Sequence, residues 1–273
     1  MRVLLDSRTL QVRAHAADGA RLAALIGNLE VDGSTVEVSE DRLISEAVRG
    51  FDVVVIPTRA NSEGNEYTGE ELGSVGVFVR EGGGLLLLSN HGPLPDVPYD
   101  HTRYDRELAK VFGITIEPAW FALPEEGLAE GELSAEARVG AIRAAYAAGS
   151  VALTTLEGEA LASDHPVIAG PSGGASVRSV VTNNCCGISA EGCIPLVWLA
   201  PSVMDWSKTY DPRTCLFAGA LDQGRERKGR VVVVGDSGFL GSEGTTAPGP
   251  GLIGHGDNMR FVLNALSWLA PRP

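Results

Sequence analysis

The chain has 273 residues, 44% of them hydrophobic and 21% charged, with a formal net charge of −13. This is the composition of globular material, and its acidity repels phosphate backbones and anionic lipid, which argues against nucleic acid and membrane as partners. No apolar run nears the roughly 20 residues of a spanning helix. Met1–Asp6 is too short for a signal core and runs into charge, so a cytoplasmic setting is expected.

In chain order, Arg2 to Asp6 is a short apolar run ending in Asp6-Ser7-Arg8, read as a buried strand. Ala16 to Leu29 places Leu22, Leu25, Ile26 and Leu29 at helical spacing. Thr35 to Val38 alternates as an outer strand, and Glu40 to Arg49 reads as a short helix. Phe51 to Ile56 is a buried strand stopped by Pro57. Thr58 to Tyr67 is a polar loop. Thr68 caps the next helix, where Glu70 and Glu71 suit the positive N-terminus. Gly82-Gly83-Gly84 ends that helix, and Leu85 to Leu88 reads as a strand buried on both faces, ending in Ser89-Asn90-His91. Strands alternating with helices predict a parallel sheet covered on both faces.

After His91 the pattern loosens. Residues 91–176 read as a region rich in loops and helices, with short helices over Asp105–Phe112 and Ser134–Ala148 and a turn at Ser163-Asp164-His165-Pro166. Strands return at Val177–Thr182, Ile194–Leu199, Thr214–Ala220 and Arg230–Val234. Little helix separates them, which predicts antiparallel strands added at the sheet's edge. Ser242 to Gly256 is a loop, and Asp257 to Leu269 is a closing helix burying Phe261, Leu263, Leu266 and Leu269. No linker or internal repeat divides the chain, so one domain over 1–273 is expected.

Several of these segments together resemble a known family. They are Phe78-Val79-Arg80-Glu81-Gly82-Gly83-Gly84 leading into Leu85–Leu88, then Asp164-His165-Pro166-Val167, then Gly229 to Leu240 with Gly235-Asp236-Ser237-Gly238 at its centre, and last Asp257-Asn258 opening Phe261 to Leu269. The set resembles the class I glutamine amidotransferase-like superfamily, in the branch of domains related to gliding-motility auxiliary proteins and the intraflagellar transport 52 kDa-type subunit. The resemblance implies a flavodoxin-like three-layer α/β sandwich with a mainly parallel central sheet. It also implies a cysteine on the sharp turn after the strand that starts at Gly84. Here that turn reads Leu88-Ser89-Asn90-His91-Gly92, with Asn90 at or near the nucleophile position. An amide cannot attack a carbonyl. The activating His-x-Glu pair is also absent after Val234, where Asp236-Ser237 stands, so glutamine hydrolysis through a thiolate is not expected.

In a parallel sheet ligands bind outside the carboxyl ends of the strands. Asp6-Ser7-Arg8, Thr58-Arg59-Ala60-Asn61, Ser89-Asn90-His91 and Asp236-Ser237 all lie at such ends. Two readings follow. In the first, the domain binds a small polar molecule or a protein partner through Arg8, Arg59, Asn90, Ser237, His255 and Asn258, the last two near a helix N-terminus suited to an anion. In the second, it is a hydrolase or lyase that uses His91 with Asp6 or Asp236, and Ser89 as hydroxyl, with or without a divalent metal drawn from His91, His255 and the aspartates. Against both stands the plain alternative that Asp6, Asn90 and Asp236 only cap turns. No Gly-x-Ser-x-Gly elbow and no local histidine pair is present, so no cofactor is assigned. Cys185, Cys186, Cys193 and Cys215 fit no usual zinc spacing and are expected to be reduced thiols.

Overall fold

The computed structural model describes residues 1–8, 22–59, 61–93, 100–123, 153–171, 174–224, 229–242 and 251–271. The valine- and leucine-rich runs form its parallel half. β1 (Arg2–Asp6), β2 (Thr35–Ser39), β3 (Val53–Ile56), β4 (Gly84–Leu88) and β12 (Arg230–Val234) lie in the order β2-β1-β3-β4-β12, every neighbouring pair parallel. α1 (Ala23–Val31), α2 (Ser45–Val48) and α3 (Gly69–Arg80) carry the chain back between the first four strands. α3 starts as its sequence predicts. Thr68 accepts from the Glu71 N–H, and Glu71 reaches back to the Thr68 N–H, completing a capping box.

The other half is antiparallel. β11 (Cys215–Asp222) runs against β12, and β8 (Cys185–Ser189) and β9 (Ile194–Trp198) both pair with β11. β5 (Ile116–Ala122) follows β8, and β10 (Met204–Asp205) closes the edge, giving a sheet of ten described strands. These strands extend the parallel half rather than trim its border. β5 lies in the stretch read as loop and helix, and its alternation is broken by Glu117-Pro118 and by a register shift between Glu117 and Phe121. β8 went unread because Cys-Cys-Gly lacks the branched residues that favour strands. β6 (Thr154–Glu157) and β7 (Ser179–Thr182) pair separately as a two-stranded sheet. The remaining α-helices among the described residues are α4 (Arg103–Lys110), α5 (Pro166–Ala169) and α6 (Asn258–Leu269). The helix expected over 134–148 lies outside the described residues.

Alternation along the strands divides the core in two. Val3, Leu5, Val53, Val55, Leu86, Leu88, Val232 and Val234 pack on the side of α1 and α6. Leu4, Val54, Ile56, Leu85, Leu87, Val231 and Val233 pack on the side of α2, α3 and α4. α6 buries Phe261, Val262, Ala265, Leu266 and Leu269, whereas Leu263, expected in that face, is half-buried at its margin. α6 ends against the start of β4, where a Cβ on Gly84 would lie 2.5 Å from the Leu269 carbonyl oxygen.

Candidate functional site

The carboxyl ends of β1, β3, β4 and β12 are neighbours, but the same alternation divides their polar residues between the two faces of the sheet. Asp6, Thr58 and Ser89 continue the parity of Leu4, Ile56 and Leu87, on the α3–α4 face. Asn90 and Asp236 continue that of Leu88 and Val234, on the α6 face.

On the α3–α4 face the charges pair with one another. Arg59, 1% exposed, reaches Glu71 at 3.2 Å and Asp6 at 3.5 Å, and its guanidinium lies 3.5 Å from the centroid of the Tyr67 ring. Glu71 also receives Arg8 at 2.7 Å and the more exposed Arg42 at 3.2 Å. Burial raises the pKa of Asp6 against the opposing pull of Arg59. For Glu71 burial also works upward, but the Thr68 N–H, Arg59 and Arg8 outweigh it and hold the carboxyl below its ordinary value. Glu71 was read from sequence only as a partner of the helix N-terminus. Its place three residues after Thr68 was the available signal that its side chain is fixed.

Beside this cluster lies a second carboxyl that sequence reading missed. Asp105, in the first turn of α4, is fully buried. It accepts from Thr58 Oγ1 at 2.7 Å and from the Arg59 N–H at 3.2 Å. Burial pushes its pKa up to about 7, although Thr58, the Arg59 N–H and Ser89 all oppose the rise. The Ser89 hydroxyl, itself fully buried, faces both Asp105 and Cys186 without a hydrogen bond of good geometry to either.

On the α6 face, the Asn90 amide donates to Ser237 Oγ at 2.8 Å, and its carbonyl accepts from the His91 N–H at 2.8 Å. Asp236 caps the 3-10 turn at Ser237–Leu240 by accepting from the Gly238 N–H at 2.7 Å, and it also takes Thr182 Oγ1 at 2.6 Å. The capping reading therefore describes Asp236 well.

His91 returns to the α4 side. Its ring stacks on Trp120 with centroids 3.7 Å apart, and meets His101 edge-on at 4.8 Å. Nδ1 lies 2.9 Å from the Gly92 carbonyl. Burial, reinforced by His101, lowers its pKa to about 3, so the ring is neutral at physiological pH. The turn can approach β5 this closely because residue 92 is glycine: its N–H bonds Ala119 O at 2.7 Å, and a Cβ there would sit 1.9 Å from Pro118 O. Trp120 is fixed in turn by Asp205, which accepts its N–H at 3.0 Å and those of Ser207, Thr209 and Tyr210. Asp205 is a further buried carboxyl that sequence reading missed.

The structure thus joins Asp6 to Arg59, links both to Arg8 through Glu71, and joins Asn90 to Ser237. It does not join His91 to Asp6 or Asp236, neither of which bonds to its ring, so the acid–base pairing expected for a hydrolase is not formed. Asn258 is a clamp: its amide donates to Val181 O and Leu252 O, each at 2.8 Å, and its carbonyl accepts from the Val181 N–H. Both donors are spent inside the fold, and its side chain is fully buried, which removes it from the ligand-binding set. Asp257 leaves its own helix uncapped and accepts from the Arg178 N–H instead. His255 lies half-buried before α6. Among the described residues no three His, Cys, Asp or Glu side chains converge as a metal site. The four cysteines are free thiols, and burial pushes Cys185 and Cys186 well above the usual thiol range.

Among the described residues no helix is long and apolar enough to cross a membrane. No protein-family model matches the chain, and no curated protein matches it. Solved structures do. The mmIFT52 N-terminal domain is similar with a TM-score of 0.63 at 12% identity, over 98% of this chain and 96% of that one. The cytoplasmic protein STM1381 from Salmonella typhimurium LT2 gives a TM-score of 0.55 at 12% identity, over 99% and 100%. A ThuA-like protein from Bacteroides uniformis ATCC 8492 gives 0.52 at 12% identity, over 98% and 91%. At such identities the likeness is one of fold, a mixed α/β sandwich on a large sheet.

Proposed function

We propose that this chain is a glutamine amidotransferase-like domain without the nucleophile, which binds a small polar ligand at the carboxyl end of β4. The observation that carries the reading is the state of Asn90. It stands where the resemblance implies a cysteine, and both ends of its amide are held, by Ser237 Oγ and by the His91 N–H. The nearby thiols, Cys185 and Cys186, are buried and protonated, so neither substitutes for the missing nucleophile. The ThuA-like neighbour fits an amidotransferase-like fold. The part of the strand ends left for a ligand is the rim formed by Asn90, Ser237 and His91. Asn90 and His91 are half-buried there and offer an amide and a neutral imidazole, while the buried Ser237 hydroxyl holds the Asn90 amide in place. Such a set recognises uncharged polar groups by hydrogen bonds rather than charged ones by ion pairing.

The test is thermal unfolding of wild type and His91→Ala across a panel of amino acids, carboxamides and sugars, alongside an ammonia-release assay with glutamine. A compound that raises Tm in wild type and not in the variant supports the reading. Release of ammonia above background would overturn it, as would a panel with no stabilising member.

A further inference from the structure

The opposite end of the sheet carries an open cleft that the proposed function does not use. It measures about 860 Å³ and takes in the chain just before β3 and β4, at their amino ends. Small-molecule sites occupy roughly 300–1,000 Å³. Two helices make the walls. α3 contributes Ser74, Val77, Phe78 and Glu81, at steps of three, four and seven residues from the first. α2 contributes Ser45 and Val48, with Arg49 at its end, at steps of three and four. Each set is thus one stripe of its helix. The Ser45 and Ser74 hydroxyls meet at 3.2 Å and bridge the two walls. Gly50 and Gly82 also line the cleft, with φ of 83° and 116°, so a side chain at either position would be strained and that part of the lining is bare backbone.

The lining combines hydrocarbon with one charge of each sign. Phe51 and Phe78 are half-buried, and Val77 is 40% exposed. Arg49 and Glu81 are exposed, and among the described residues neither side chain has an ion-pair or hydrogen-bond partner, so they do not pair with each other. α3 ends beside Glu81, and the negative end of its dipole adds to the attraction for a cation there. A ligand that answers all of these carries a carboxylate for Arg49, an ammonium for Glu81 and an apolar body for the rings and Val77. We infer that the cleft binds a small zwitterion with apolar side chains, a free amino acid or a dipeptide of the leucine or phenylalanine kind. The guanidinium suits a carboxylate because its fork of donors matches the two oxygens. Both protein charges stay near solvent, so binding does not carry the penalty of burying an ion. The cleft does not rest on the rim at Asn90, which lies at the other end of the sheet.

The experiment is isothermal titration of the full chain at pH 7 with L-leucine, L-phenylalanine and L-leucyl-L-leucine. At least one is expected to bind saturably. Its carboxamide, which lacks the carboxylate, and its N-acetyl form, which lacks the ammonium, should each bind at least tenfold more weakly. Arg49→Gln and Glu81→Gln change only exposed side chains. Both should keep the Tm of wild type and lose at least tenfold in affinity for the binder. A ligand of the rim at Asn90 would be unaffected by either variant, which tells the two sites apart. No saturable binding by any of the three compounds overturns the proposal. So does a blocked form that binds as tightly as its parent, and so does wild-type affinity in either variant.

Discussion

The imidazole of His91 lies almost parallel to the indole of Trp120, at an interplanar angle of 23°. The contact fixes the ring's protonation as well as its position. A charged imidazolium there would lose its hydration, and the second ring beside it, His101, is no acid.

His91 therefore makes the fold sensitive to acid. Its folded pKa, about 3, lies below the ordinary value of 6.5, so the unfolded chain binds the extra proton between those values. Stability from this group is complete above 6.5 and falls as pH drops towards 3. His91→Phe keeps an aromatic ring on Trp120, and its stability relative to wild type should rise by about 2–3 kcal/mol between pH 6.5 and 4.5. Urea unfolding at the two pH values measures the difference.

Asp105 has the opposite sign. Its folded pKa, about 7, exceeds the ordinary 3.8, so the folded state holds the proton more tightly. Its contribution is complete at low pH and is lost as pH rises from about 4 to 7. Asp105→Asn should be more stable than wild type at pH 8 by a few kcal/mol and should lose that advantage at pH 4. Between about pH 4 and 6.5 the His91 and Asp105 slopes oppose each other. Wild type should look flat there, and each single variant should uncover the slope of the other residue.

Arg59 is the centre of the buried ion cluster. Arg59→Met leaves Asp6 without its guanidinium and takes one cation from Glu71, in a site closed to water. Stranding a buried charge in this way costs about 3–5 kcal/mol. Chemical denaturation should show that loss, and raising the salt concentration should not restore it, since buried pairs are little screened.

Gly92→Ala tests the approach of the β4 turn to β5. The new Cβ would overlap the Pro118 carbonyl, and both sides of the contact are backbone, so neither yields cheaply. The variant should lose several kcal/mol of stability. Its tryptophan fluorescence should also change, because His91 can no longer lie on Trp120.

The parallel half of the fold was legible because its inner strands are runs of valine and leucine, with helix signals between the first four strands of the chain. β5 and β8 were not, because proline, glycine and cysteine hide the alternation that sheet pairing imposes. At the site, the polar residues that end the strands were legible, but the face of the sheet each one takes was not. Counting by twos from Leu88 and Val234 would have placed Asn90 with Asp236, and counting from Leu4 and Leu87 would have placed Asp6 with Ser89. Asp105 was beyond such counting. It lies on α4, far along the chain from Thr58, and only packing across the sheet brings the two together.

β4 and β12 are adjacent in the sheet but distant in the chain, with Gly84 paired to Arg230. A ribosome finishes β2-β1-β3-β4 long before β12 emerges. For that interval Leu85–Leu88 form a bare hydrophobic margin, which invites wrong pairing. Closing it requires a contact of high sequence separation, and such contacts form slowly. Nascent chains halted before Arg230 should need chaperone cover that the finished chain does not, which makes the arrival of Val231–Val234 the step that commits the sheet.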